Sequence, residues 1–240
     1  MRFEKFINSW FYRLMEKIYQ LIILNLLTIL TIILGLGIFS LLPSLVSLVT
    51  VMKSYKKDTS FPILKGYFLT FKKCYKDAEL LSLPFFGLLF LFTFNAYYFY
   101  CWLAEAPNNL FFNISYYVMI IMDIFVFTSF INAAFVCSYF PYLTFQKKFK
   151  YSFKILFAIF WKVLIMIVLL IGEIYLGKLI FFAFPFILLS LYFYIIYLLI
   201  DKDYQKLIPE GYQDLNVVDF IEEEREKHIE KEKTKQKNKK

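Results

Sequence analysis

The chain has 240 residues, 60% of them hydrophobic and 22% aromatic, with a mean hydropathy of +0.59. Soluble domains are nearer half apolar, so the composition points away from a soluble enzyme and towards an all-α polytopic membrane protein. The net charge of +8 does not imply nucleic acid: the basic residues sit at the ends of apolar segments, and Arg2, Arg13 and Arg225 are the only arginines, whereas phosphate and base readers favour the arginine fork.

Residues 1–18 place Phe3, Phe6, Ile7, Trp10, Phe11 and Leu14 at helical spacing among Arg2, Lys5, Arg13 and Lys17. This is the pattern of an amphipathic helix lying on a membrane face. Its long aromatic start does not fit a cleaved signal peptide.

Tyr19–Met52 then runs 34 residues without a charge. A straight helix of that length spans about 50 Å, against a hydrocarbon core of about 30 Å. Gly35, Gly37, Ser40 and Pro43 stand at its middle, where a helix breaks. The stretch is expected to be a tight hairpin, with a first span to about Leu36 and a shorter descending helix from near Pro43.

Residues 53–79 carry seven lysines and read as a basic loop beside an interfacial helix opened by Phe61-Pro62. Leu80–Leu103 is expected as the next span, 104–112 as a loop without Lys or Arg, and 113–145 as a long span. The basic segment 146–154 follows, then a span at 155–172, a short turn at 173–178 and a last span at 179–200. Residues 201–240 form a charged tail, helical in part. The expected domains are 1–18, 19–200 and 201–240.

Charge sets the parity of the crossings. Lys plus Arg number four in 1–18, seven in 53–79, none in 104–112, four in 146–154, one in 173–178 and ten in 201–240. Basic segments stay in the cytoplasm. The first two therefore share a side, and the stretch between them returns to where it started. Six membrane-inserted helices with both termini cytoplasmic are expected.

The run from Gly35 to Leu83 resembles the amino-terminal signature of the YesL family of bacterial membrane proteins. Gly37, Phe39, Pro43, Lys53, Phe68, Phe71, Lys72 and Tyr75 stand in the places of that signature. Phe140, Pro141, Phe145 and Lys154 resemble a later segment of it. The chain departs where Ser44, Ser47 and Thr50 replace residues that are often Ala and Tyr in the family. The resemblance covers roughly residues 1–200 and implies a multi-pass protein of the bacterial plasma membrane. It also implies a setting near carbohydrate uptake and degradation systems, and it supplies no reaction.

Motifs for chemistry are absent from the sequence. The single histidine, His228, lies in the tail, so a histidine-based triad or metal site in the membrane is not expected. No phosphate-binding glycine loop occurs. Cys74, Cys101 and Cys137 form no CxxC or zinc spacing and read as small buried apolar side chains. No catalytic, cofactor or metal site is expected.

Two ionisable residues are expected at membrane depth, Asp123 and Lys162, each about ten residues into its span. Such charges face the bundle or a partner. They are candidates for an intramembrane pair, either as structural glue or as the lining of a polar path. Asn25, Asn95 and Asn132, with Thr28, Thr31 and Ser129, are candidates for interhelical hydrogen bonds. The expected function is a non-enzymatic accessory or regulatory component of the envelope. Its expected partners are the lipid bilayer and a sugar transport system or other membrane protein, with no nucleic acid. The alternative is a small-molecule transporter using the intramembrane polar residues.

Overall fold

A computed structural model describes residues 10–57, 61–105, 107–180 and 187–237, which are mostly helical with no strand among them. The expectations for residues 1–9, for 181–186 of the last span and for 238–240 of the tail lie outside the described residues. Eight α-helices are seen among the described residues: α1 (Trp10–Leu34), α2 (Leu41–Lys57), α3 (Ile63–Glu105), α4 (Leu110–Tyr139), α5 (Phe145–Ala158), α6 (Phe160–Leu179), α7 (Leu189–Leu207) and α8 (Val217–Lys237). Four of them, α1, α3, α4 and α6, are long and apolar enough to cross a membrane. Of the other two helices expected to insert, α2 has only 17 residues and α7 carries Asp201, Lys202, Asp203 and Lys206.

The centre of the bundle is α2. Every residue from Leu42 to Ser54 is buried, because α1, α3, α4, α7 and α8 surround it. A helix covered on all sides needs no polar face. On α1 the buried residues Leu21, Leu24, Asn25, Thr28 and Thr31 form one stripe at steps of three and four, while Tyr19, Leu26, Leu30 and Ile33 on other sides are exposed. Thr31 Oγ1 lies 2.8 Å from Ser44 Oγ and 2.8 Å from the Tyr67 hydroxyl, tying α1, α2 and α3 together.

The α1–α2 turn occupies residues 35–40, with Leu36 at φ 58° and Gly37 at φ 74°. Two successive left-handed residues reverse the chain quickly. Ser40 closes the turn by donating to the Ile32 carbonyl at 3.1 Å.

Several boundaries differ from the sequence reading. The interfacial segment and the span after it are one unbroken helix, the 43-residue α3, which passes through Pro84. At about 1.5 Å per residue it is about 65 Å long, roughly twice the ~30 Å thickness of a hydrocarbon core. Phe85 anchors it: the buried ring meets Phe130, Phe149 and Phe153 at centroid separations of 5.8, 5.0 and 5.5 Å. Packing of this kind holds a helix together across a proline.

The long span ends at Tyr139 rather than about Phe145, because Phe140 precedes Pro141 and leaves the helical region (φ −126°, ψ 61°). The basic segment 146–154 is most of α5. The expected span 155–172 is broken at Ile159, and the expected turn 173–178 is helical to Leu179. Charges such as Glu173 and Lys178 do not stop a helix. In an apolar setting the backbone keeps its internal hydrogen bonds as long as it can. Of the expected last span, Leu179 closes α6 and residues 189–200 belong to α7.

All ion pairs among the described residues lie at one face, where α2, α4 and α7 end and α3, α5, α6 and α8 begin. This is called the basic face. The α1–α2 turn and the 107–109 loop lie at the other.

Gly37 has open space around it but a φ of +74°. Gly37→Val is therefore expected to destabilise through the backbone alone, by about 1–2 kcal/mol. A lower thermal midpoint in detergent would show this; an unchanged one would mean that the turn has another geometry.

Candidate functional site

The end of α2 brings a charge into the core. Lys53 is 1% exposed. Its ammonium donates to the Ser138 carbonyl at 2.8 Å, lies 3.1 Å from Asp214 Oδ2 and sits 4.5 Å over the Tyr139 ring. The Ser138 carbonyl is in the last turn of α4, where carbonyls lack helical partners and the helix dipole favours a cation. Leu215 N–H donates to the same carbonyl at 2.9 Å, and the Thr50 hydroxyl donates to Ser138 Oγ at 2.9 Å. One helix end is thus completed jointly by a lysine and by the tail.

Asp201, near the end of α7, gathers a second set. It accepts from Lys56 at 2.8 Å, from the Tyr139 hydroxyl at 2.7 Å and from Gln205 at 2.8 Å. One turn further on, the Tyr204 hydroxyl donates to Asn132, whose amide donates to the Ser152 carbonyl at 2.9 Å. These bonds tie α2, α4, α5 and α7 in one layer.

The tail closes over this layer. Asp214 pairs with Lys57 as well as Lys53, both at 3.1 Å. The Ser54 hydroxyl accepts from Val217 N–H at 3.0 Å, at the start of α8. Val217 packs on Gly66 of α3 so closely that a Cβ there would lie 2.6 Å from its Cγ1. Further along, Glu224 pairs with Lys65 at 2.9 Å, and Glu223 with Lys73, whose ammonium lies 4.2 Å over the Phe220 ring.

Lys53, past the uncharged stretch of α2 that ends at Met52, and Asp214 in the tail lie at the basic face, and their ionisation reflects the same packing. Burial outweighs the carboxylate's pull on Lys53 and lowers its pKa from 10.5 to about 8. Burial opposes the charge on Asp214 too, but Lys53 and Lys57 overcome it and hold the carboxyl below its usual range.

The two candidate intramembrane charges do not pair. Lys162 is in the first turn of α6, since the break at Ile159 moves the start of that span. It sits at the basic face, donates to the Leu199 carbonyl at 2.8 Å and pairs with Asp203. Asp123 accepts from Thr93 on α3 at 2.7 Å, and its other oxygen is buried without a partner. Asn25 accepts from Ser190 N–H at 2.8 Å, between α1 and α7, and Asn132 bridges α5 and α7 as described. Asn95 instead donates to Leu91 in its own helix. Thr28 and Ser129 donate to carbonyls four residues back, an outlet open to any helical Ser or Thr.

Sequence reading missed Ser138, Tyr139, Asp201 and Asp214. Lys53 carried a faint signal, as the first charge after the uncharged run. Among the described residues no group of three His, Cys, Asp or Glu could hold a metal. An apolar cavity of about 470 Å³ lies between α1, α2, α4, α6 and α7, lined by Ile32, Leu45, Phe130, Leu170, Glu173 and Tyr192. Glu173 also has a buried oxygen without a partner.

Breaking a buried pair from one side costs about 3–5 kcal/mol, whereas replacing both members can be nearly neutral. Asp214→Ala is thus expected to lower the thermal midpoint strongly and to open the tail to proteolysis. Lys53→Met/Asp214→Leu should recover much of the stability, and simple additivity would show that the pair is not coupled. The pH dependence has a definite sign. Between about 8 and 10.5 the folded Lys53 is deprotonated before the unfolded one. The unfolded state then binds more protons, so stability rises with pH through this group. The midpoint of wild type relative to Lys53→Met should climb across that window.

Residues 21–96, which hold most of α1, all of α2 and most of α3, match the family model described as a protein of unknown function, DUF624. No curated protein and no solved structure matches the chain.

Proposed function

We propose that the chain is a multi-pass protein of the bacterial plasma membrane, of the YesL type, with α2 and α7 inserted alongside the four spanning helices and with the basic face in the cytoplasm. Its role is that of a non-enzymatic accessory or regulatory component of the envelope, with a carbohydrate-uptake system as partner. The observation that carries this reading is the latch: Lys53, Ser138 and Asp214 pin the tail so that α8 starts at a fixed place on the basic face. A buried ion pair is a weak source of stability but a strong one of definite geometry. A charged helix held in one place suits recognition of another protein better than turnover of a substrate.

Positive-inside counting supports the orientation. A reporter active only outside the cytoplasm, fused after Pro107, should be active, and the same reporter fused after Lys57 or Lys148 should be silent. Activity after Lys57 would refute the returning hairpin.

The function is tested by affinity purification of the full chain in mild detergent, beside a Gly66→Leu variant in which α8 cannot seat. Recovery of a sugar transporter or its solute-binding protein with wild type, and its loss with the variant, is expected. A monomer that transports a solute in liposomes would overturn the accessory role.

The transporter alternative has one observation in its favour. Asp123 and Glu173 each keep a buried carboxylate oxygen without a partner within spanning helices, and Glu173 lines the apolar cavity. On that reading Glu173→Gln abolishes uptake while leaving the thermal midpoint unchanged.

A further inference from the structure

The inward face of α5 carries a charge that packing does not require. Its buried residues are Lys148, Ser152, Ile155 and Leu156, at helical spacing, while Lys147, Lys150 and Lys154 are exposed. Interfacial helices turn their lysines outward and let the long stems reach water. Lys148 is instead 6% exposed. The nearest carboxylate is Asp77, 3.7 Å away on a side chain that is 76% exposed, which is beyond hydrogen-bond distance. An ammonium has three hydrogens to donate, and an exposed carboxylate at that distance leaves this one with capacity for an acceptor in the space it faces.

Lys148 lines a cavity of about 210 Å³ between α3, α4, α5 and the tail, together with Lys73, Cys74, Asp77, Cys137 and Phe220. At about 30 Å³ per water this is room for about seven waters, enough for a phosphate-sized anion with part of its hydration. The cavity holds two ammonium groups against one carboxylate, and that carboxylate is mostly in solvent. The remaining lining is thiol, aromatic and aliphatic, which supplies no competing anion. Leu215 and Phe220, on either side of the start of α8, cover it. Lys73 is shared, because it also pairs with Glu223 of α8.

We propose that this cavity binds a small oxyanion of the phosphate class, with Lys148 as the principal cation and Lys73 as the second. The tail acts as its cover, and Glu223 competes with the anion for Lys73. The anion would supply the acceptors that Lys148 lacks. This goes beyond the latch, whose residues are not in the cavity. A free phosphate and a phospholipid headgroup share this chemistry, and α5 at an interface lies within reach of both.

The test uses the full chain in a neutral maltoside detergent with inorganic phosphate, by calorimetry and by protection of Cys74 and Cys137 from a small maleimide. Saturable binding with slowed labelling is expected. Lys148→Met should weaken it about tenfold or more, the loss of a charge-assisted hydrogen bond. Lys148→Arg should retain it, and Lys150→Met, on the exposed face, should leave it unchanged. Lys148→Met keeps the side-chain volume and removes a buried charge, so folding should be preserved; Lys73→Met gives a second, smaller loss. The same variants in nanodiscs containing phosphatidic acid separate the sources. Binding there alone, lost with Lys148→Met, assigns the site to a lipid headgroup, and binding in detergent assigns it to free phosphate. Equal binding by wild type and Lys148→Met, or no saturable binding of either probe, would overturn the site.

Discussion

The burial of one ammonium organises the basic face. Because α2 is enclosed by five other helices, the chain cannot leave the core without carrying Lys53 through protein rather than water. Three groups answer that charge: a carbonyl at the end of α4, the carboxylate of Asp214 and the face of Tyr139. Each belongs to a different requirement of the fold. The Ser138 carbonyl needs a donor because α4 stops there, Asp214 needs cations because the tail buries it, and Tyr139 is fixed by Asp201. Loss of Lys53 would leave the Ser138 carbonyl to Leu215 N–H alone and Asp214 to Lys57 alone, so both ends of the latch weaken together and it acts cooperatively rather than as a sum of contacts.

The parts of the fold that were legible in the sequence are those set by long uniform stretches. The 34 uncharged residues with glycine and proline at their middle announce a reversal, and the chain reverses at residues 35–40. Helix ends within apolar sequence were much less legible. Glu173 and Lys178 suggest a turn by composition, yet the helix runs through them, since an interrupted backbone in an apolar setting costs more than a partly buried charge. The break at Ile159 has no proline or glycine to mark it. Its consequence is large, because it carries Lys162 from an expected midplane position to the basic face and to Asp203.

The candidate site was less legible for a different reason. Lys53 and Asp214 are 161 positions apart in the chain, and nothing local marks either as a partner of the other. The serine and threonine residues of α2 show the same limit on a smaller scale. Ser44, Ser47, Thr50 and Ser54 recur at steps of three and four and look alike in sequence. Ser44 meets Thr31, Thr50 meets Ser138, Ser54 holds Val217, and Ser47 donates only to Pro43 within its own turn. Small side chains let the neighbouring helices approach, and which neighbour arrives decides what each hydroxyl does.

The tail helix shows how the charge pattern of one segment can serve two ends. The first turns of α8 hold Asp219, Glu222, Glu223 and Glu224, and lysines dominate from Lys227 onward. Acidic residues at a helix start complement its dipole, and here they also meet Lys65 and Lys73 on the part of α3 that extends from the bundle. The acidic half is therefore spent on docking, and its partners are lysines that would otherwise be free to attract anions. A seated tail thus neutralises positive charge on the flank of α3. Any contact that competes for Lys65 or Lys73 must act against α8 as a unit, through the same helix start that Ser54 and Asp214 hold in place.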